Sequence, residues 1–334
     1  MQSNKILITG GYGCIGRETV RWLLANTSDE IVICSRRVDE QRTERLFSDV
    51  DIGRLTFVEV DVTDFSSLRE SIGQSGVTHV VHLAALQTPD CNAHRDLGLQ
   101  INLAGTQHLV EAIKSNGDQV RRLIFASSIA VYGPRSHHPA GRVPMLAEPY
   151  PVNVYGAWKL AGESVSRFFC EDTGIPTLSL RPGVLFGPGR DAGLTSSPTT
   201  AMKCVALGIP YEIPFRTRQD YQFAPDVGAA FGQSLLGPWE GYGMFTLPGN
   251  TYEAVQIVEA IESASRDLGI RDRFNISVGE DSVPFICDLE YQPFCEAFPG
   301  ATTTPLQDAV RQSLETFVAE VSRGWLTPDD VRGL

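Results

Sequence analysis

The chain lacks an early apolar run of any length: Ile6-Leu7-Ile8 is broken at once by Thr9-Gly10-Gly11. That is too short for a signal-peptide core or a membrane-spanning helix, so a cytoplasmic protein with no membrane partner is expected. Basic residues are in deficit, 28 Lys and Arg against 40 Asp and Glu, and the net charge of −12 repels nucleic-acid backbones and anionic lipid. Cysteine is scarce and unpaired: the seven residues, at 14, 34, 91, 170, 204, 287 and 295, form an odd set without a CxxC pair. Free buried thiols are expected, with neither a disulfide framework nor a bound metal. No repeat or low-complexity segment is present. What remains is an ordinary globular mixture, 42% hydrophobic and 20% charged over 334 residues, enough for a sizeable core and about two domains.

Up to about residue 182, short apolar runs alternate with longer segments of helical period, the pattern of βαβ units on a parallel sheet. Strands are expected at Lys5 to Thr9, Glu30 to Cys34, Leu55 to Val60, His79 to Leu83, Arg122 to Ser127 and Thr177 to Arg181. Ile15, Thr19, Val20, Leu23 and Leu24 share one helical face, and further helices are expected over Asn153 to Asp172, Thr251 to Leu268 and Pro305 to Ser322. Beyond Pro182, GVLFGPGRDAGLTSSPTTAMK reads as a loop bordering a site, and Tyr242 to Leu247 as a strand. The expected architecture is α/β. A doubly wound parallel sheet spans 1–182, with parts of 220–250 returning to it, and a smaller C-terminal α/β substrate-binding region spans 183–334.

Directly after the first strand, TGGYGCIG spaces Gly10, Gly13 and Gly16 three apart and leads into the first helix. A dinucleotide-binding turn needs this context: residues without Cβ let the backbone approach a pyrophosphate, which the helix start then stabilises. An ordinary strand-to-helix turn is the plainer alternative. The second strand ends at Ser35-Arg36-Arg37, where an NAD-binding chain usually has a carboxylate for the ribose hydroxyls. Two guanidinium groups suit the extra 2′-phosphate of NADP, although solvated arginines beside bound NAD stay open. Asp61 can accept from the adenine amino group or cap the helix beginning near Phe65. Ala84 and Ala85 let the backbone pass beneath a cofactor, or read as plain core.

In NVYGAWKLAGE, Tyr155 and Lys159 stand four apart, on one face of a helix. A tyrosine of pKa near 10 is a poor base at neutral pH, and lowering it by about three units takes roughly 4 kcal/mol. An ammonium about 4 Å away at an effective dielectric near 20 supplies about that much. Such pairs also occur by chance in amphipathic helices. Here FASSIAVYG ends the fifth strand with Ser128 at the carboxyl edge of the sheet, where open α/β folds bind ligands and a hydroxyl can reach a reacting oxygen. Taken alone, Ser127 and Ser128 read as a strand-end turn.

With these motifs, and with INLAGTQHLVEA, LRPGVLFGPGR, DYQFAPDVGAAF and TPLQDAVRQSL in order, the chain resembles the extended short-chain dehydrogenases/reductases, also called the NAD-dependent epimerase/dehydratase family. The resemblance implies a Rossmann-type fold, Tyr155 as general acid/base, Lys159 on the nicotinamide ribose, Ser128 on the substrate oxygen and a structural or proton-relay role for Asn102. It also implies a homodimer through the helices around Ala93 to Ser115 and Asn153 to Asp172. Cofactor contacts are expected from Gly10, Tyr12, Gly13, Cys14, Ile15, Gly16, Ser35, Arg36, Arg37, Asp61, Val62, Leu83, Ala84, Ala85, Gln87, Asn102, Tyr155, Lys159 and Pro182. Substrate contacts are expected from Gln87, Ser128, Ile129, Val184, Arg190 and Arg218.

Departures from the family pattern narrow the activity. Its 4,6-dehydratases carry Asp-Glu after the catalytic Ser or Thr, and Ile129-Ala130 here argues against dehydration. Its sugar-nucleotide epimerases bring an Asn and an Arg to the nucleotide where this chain has Val184 and Gln219, though Arg218 is adjacent. Trp158 replaces a usual small residue and belongs either to a dimer interface or to the core. The implied function is hydride transfer at a secondary alcohol or ketone of a small sugar, sugar acid or polyol-like molecule, with NADP favoured over NAD. A (nucleotide-)sugar epimerase, with no net cofactor change, is the alternative. A non-catalytic NADP-sensing protein is the alternative of another class.

Overall fold

The computed structural model describes residues 4–332 apart from 117–118, 194 and 284, so Leu194, within the loop expected to border the site, lies outside the described residues. Strands β1 (Lys5–Thr9), β2 (Glu30–Ser35), β3 (Leu55–Glu59), β4 (His79–His82), β5 (Arg122–Ala126) and β6 (Thr177–Arg181) are followed by β7 (Val184–Phe186), β8 (Tyr211–Phe215) and β9 (Gln219–Phe223). The last are β10 (Tyr242–Thr246), β11 (Asn250–Tyr252) and β12 (Ile276–Asp281). A seven-stranded sheet has the order β10-β6-β5-β4-β1-β2-β3, and every pairing in it is parallel. The order reverses between β1 and β4, which opens a crevice at the carboxyl ends of those strands. This is the Rossmann-type sheet that the sequence leads one to expect, with strand ends within one residue of expectation.

Both faces of the sheet are buried, which is why its strands read as continuous apolar runs. Successive side chains enter opposite cores: Ile6, Ile8, Ile33 and Ile124 join one, and Leu7, Val32, Val80 and Leu123 the other. A third core gathers Val184, Phe186, Met202, Ile257 and Phe317 in the C-terminal part of the chain.

The stretch beyond Pro182 is not one loop. It contains β7 and the helix Ser197–Leu207, in which each residue from Ser197 to Ala206 is buried, so that no polar face marks a helical period. Nor does Asp61 cap the helix Phe65–Ser75. Asp64 does so, accepting from the N–H groups of Ser66 and Ser67, while Asp61 accepts from the N–H and hydroxyl of Thr63.

The helix Val154–Thr173 starts at Asn153, whose side chain accepts from Gly156 N–H at 2.8 Å. Tyr155, Lys159 and Glu163 recur every four residues along it, forming one stripe. At the inner end of the stripe, Glu163 accepts two 2.7 Å hydrogen bonds from Arg181, the last residue of β6, and one of 2.5 Å from the Ser127 hydroxyl. Glu163 and Arg181 are buried, and the guanidinium lies over the Tyr132 ring at 4.7 Å. Replacing the carboxylate alone, as in Glu163→Leu, is predicted to leave an uncompensated buried charge and cost about 3–5 kcal/mol in urea denaturation. Adding Arg181→Met is predicted to restore most of that loss. A double variant no more stable than the single one would contradict the pairing.

Candidate active site

The carboxyl ends of the central strands open into a cavity of about 360 Å³. Its wall brings the glycine turn (Gly10, Gly13, Cys14, Ile15, Gly16) together with Leu83, Ala85 and Gln87 after β4. Ser128, Ile129, Tyr155, Lys159, Pro182, Val184 and Arg190 line the same wall.

The turn fits a dinucleotide. Gly10 has φ +71°, and a Cβ there would lie 3.0 Å from the Ala84 nitrogen; a Cβ at Gly16 would collide with the Gly10 carbonyl. The helix Cys14–Asn26 begins at Gly13 with no side-chain cap and no acidic residue in its first turn. Its N-terminal N–H groups and positive dipole end thus point at the cavity without a built-in acceptor, as a pyrophosphate requires.

Lys159 is buried, and its Nζ donates to the Ala126 carbonyl at 2.6 Å, beneath the Phe125 ring at 5.1 Å and 5.7 Å from the Tyr155 ring. Burial pulls the ammonium down to about 8, against the opposing influence of Cys91 and Glu163. Burial raises the Tyr155 phenol, while a hydrogen bond from Ser128 and the charge of Arg190 favour its phenolate. The sequence led us to expect Lys159 to dominate that balance. In the ligand-free protein its Nζ is instead bound to the Ala126 carbonyl at the end of β5. The Ser128 hydroxyl accepts from Ala130 N–H at 3.1 Å. His82, held between the Thr9 hydroxyl at 2.8 Å and that of Thr106 at 3.2 Å, is pushed by burial and by Lys159 down to about 3 and stays neutral.

Other expected contacts lie outside the cavity wall. Tyr12 turns its hydroxyl to Thr43 at 2.6 Å and stacks on Phe57. Ser35 is half-buried, while Arg36 and Arg37 are exposed beyond the end of β2. Val62 packs against Gly105, and Ala84 N–H donates to the Thr9 hydroxyl at 3.2 Å. Asn102, expected as a cofactor contact and in a structural or proton-relay role, clamps the chain: its amide accepts from Leu86 N–H at 2.7 Å and donates to Leu86 O at 2.9 Å and Cys91 Sγ at 3.3 Å. Arg218 also lies outside the wall. It is exposed and pairs with Asp288 at 2.7 Å, a residue seventy positions away. Gln219 is fully buried, away from the wall. Trp158 packs over Gly98, where a Cβ would lie 2.5 Å from its ring.

The wall also includes residues that sequence reasoning missed: Val152, Asn153, Val283, Phe285 and Ile286. Asn153 is expected from the sequence only as the start of the YGAWK helix, which it caps, and not as part of the wall. Nothing in the sequence marks 283–286. All seven cysteines are free, and among the described residues no helix is long and apolar enough to cross a membrane.

Residues 6–232 match the NAD dependent epimerase/dehydratase family. The chain is 29% identical to a UDP-glucose 4-epimerase of Erwinia amylovora over 78% of its own length and 82% of the relative's. It is 32% identical to a D-erythronate dehydrogenase of Cupriavidus necator over 53% of this chain and 56% of that one. Its fold superposes on the NAD complex of Thermus thermophilus UDP-glucose 4-epimerase with a TM-score of 0.78 at 23% identity, covering 94% of this chain and 98% of the other.

Because burial outweighs Ser128 and Arg190, Tyr155 of the ligand-free protein is predicted to ionise above an ordinary tyrosine. Ser128→Ala, which removes a hydrogen bond favouring the phenolate, is predicted to move it higher. Tyrosinate ultraviolet difference spectra against Tyr155→Phe measure both, and ionisation below the ordinary tyrosine value would contradict the balance described.

Proposed function

Since the chain belongs to the NAD dependent epimerase/dehydratase family, whose members are nicotinamide-cofactor enzymes, we propose that it is a dehydrogenase of that family acting on a secondary alcohol or ketone of a small sugar, sugar acid or polyol-like molecule. The observation that carries this reading is the convergence of Ser128, Tyr155 and Lys159 on a cavity shared with the glycine turn. Once bound, the nicotinamide supplies the hydride acceptor for the alcohol or the donor for the ketone. Ser128 orients the substrate oxygen, and Tyr155 takes the hydroxyl proton or returns it. Lys159, whose Nζ donates to the Ala126 carbonyl, holds the ribose and favours the phenolate in the cofactor complex. The relative named D-erythronate dehydrogenase supports net redox chemistry on a small molecule.

Tyr155→Phe is expected to abolish turnover and leave cofactor affinity nearly intact, because it deletes the acid/base and little else. Lys159→Met is expected to impair both. Ser128→Ala falls between, at about 2–3 kcal/mol in kcat/KM, the worth of one hydrogen bond to the reacting oxygen. Near-normal turnover by Tyr155→Phe, with cofactor binding followed by fluorescence, would contradict these roles.

The exposed Arg36 and Arg37 at the end of β2 support NADP over NAD, although the family is NAD-dependent and the superposed epimerase holds NAD. Arg36→Ala is expected to narrow the NADP preference by roughly ten- to hundredfold, the worth of a charge-assisted hydrogen bond. Equal affinity of the unmodified protein for the two cofactors would contradict it. Exposed Leu97, Leu99 and Phe168 lie on the two helical segments through which a homodimer would form, and a monomer mass by light scattering would contradict that assembly.

A second reading, epimerisation, is favoured by the likeness to UDP-glucose 4-epimerase over most of both chains. Against a nucleotide-linked substrate stand Val184 in the wall and Gln219 buried behind it.

A further inference from the structure

We propose that Arg190 is a carboxylate subsite, so that the substrates are hydroxy acids, or the matching keto acids, rather than neutral sugars or polyols; the proposal rests on the oxidoreductase reading of the same cavity. In a chain of net charge −12, the cavity wall carries two cations, Lys159 and Arg190, and among the described residues no carboxylate. Lys159 is directed to the Ala126 carbonyl. Arg190 has only neutral partners: its Nη1 donates to Gln87 Oε1 at 2.9 Å, its Nη2 reaches the Thr195 hydroxyl at 3.4 Å, and its buried Nε has no partner among the described residues. The adjacent carboxylate, Asp191, is taken by Lys203 at 2.6 Å.

A guanidinium carries five N–H donors in a planar fork that matches a carboxylate. Here much of that capacity is unspent, and the facing wall is apolar, with Val184, Val283, Phe285 and Ile286. A poorly solvated, uncompensated cation is where an incoming anion gains most. Glutamine rather than glutamate at position 87 fixes the guanidinium in place without neutralising it. Arg190 lines the same cavity as Ser128 and Tyr155, so a carboxylate held on it shares that cavity with the reacting carbinol. Oxidation of such an acid breaks the carbinol C–H and O–H bonds. The hydride pair leaves to the oxidised nicotinamide, the proton leaves through Tyr155 to solvent, a C=O bond forms, and the carboxylate stays on Arg190.

The same guanidinium also acts on Cys14 at the helix start, so a phosphate of the cofactor is the other source of an anion. The test separates the two without needing turnover. Cofactor-loaded protein is titrated calorimetrically with glycerate, tartrate and gluconate, and in parallel with glycerol, threitol and glucitol. At least one acid is expected to bind roughly ten- to hundredfold tighter than its neutral counterpart. Arg190→Met is expected to erase that preference and leave cofactor affinity, read by fluorescence, nearly unchanged. Arg190→Lys keeps the charge without the fork and is expected to retain part of the preference, which covers the case in which the methionine variant does not fold. Equal binding of acids and alcohols, or an acid preference that survives in Arg190→Met, overturns the proposal. Loss of cofactor affinity with the acid preference intact also overturns it and assigns Arg190 to the cofactor phosphates. Acid binding through Arg190 with no alcohol oxidised leaves the subsite standing and refutes the oxidoreductase reading instead.

Discussion

Glu163 and Arg181 meet in the interior through two 2.7 Å hydrogen bonds, and the cavity wall takes its shape from the elements that these two residues join. Glu163 sits two helical turns after Tyr155 and one after Lys159, so fixing it to the last residue of β6 and to Ser127 fixes the helix against the ends of β5 and β6. Tyr155 and Lys159 then reach the cavity from one side while Ser128, the residue after Ser127, reaches it from another. A buried ion pair of this kind adds little net stability relative to a well-packed apolar pair. What it contributes here is register: a helix that slid or turned by one residue would lose both hydrogen bonds and carry the tyrosine out of the cavity.

Around that frame the electrostatics are one-sided. The cavity wall is cationic although the molecule is strongly anionic, and the nearby His82 remains a neutral hydrogen-bonding strut between Thr9 and Thr106. At this crevice the helix start, Lys159 and Arg190 attract anions although the net charge of the chain is negative.

Much of this was legible in the sequence, and the reasons are local. Strands buried on both faces must be apolar throughout, so β1 to β6 announce themselves, and the turn after β1 is written in glycine because the backbone of Ala84 passes so close to Gly10. The stripe of Tyr155 and Lys159 follows from helical spacing alone. Features that depend on distant partners were not legible. The helix Ser197–Leu207 has no polar face because neighbours cover it on every side, and β9, reading QDYQF, is fully buried despite its polarity. Arg218 pairs with Asp288, far along the chain, and Asn102 clamps the backbone of Leu86. Val283, Phe285 and Ile286 supply apolar wall to the cavity, and no spacing rule connects them to Tyr155.

The central claim is net hydride transfer in this cavity, and the stoichiometry of cofactor reduction tests it most directly. Purified protein would be supplied with excess oxidised cofactor and an alcohol that it consumes, and reduced-cofactor absorbance would be followed alongside product analysis. The expected result is one reduced cofactor for each alcohol converted to its carbonyl. An isomer of the starting alcohol, formed with no net change in absorbance, would contradict a dehydrogenase and establish epimerisation in its place.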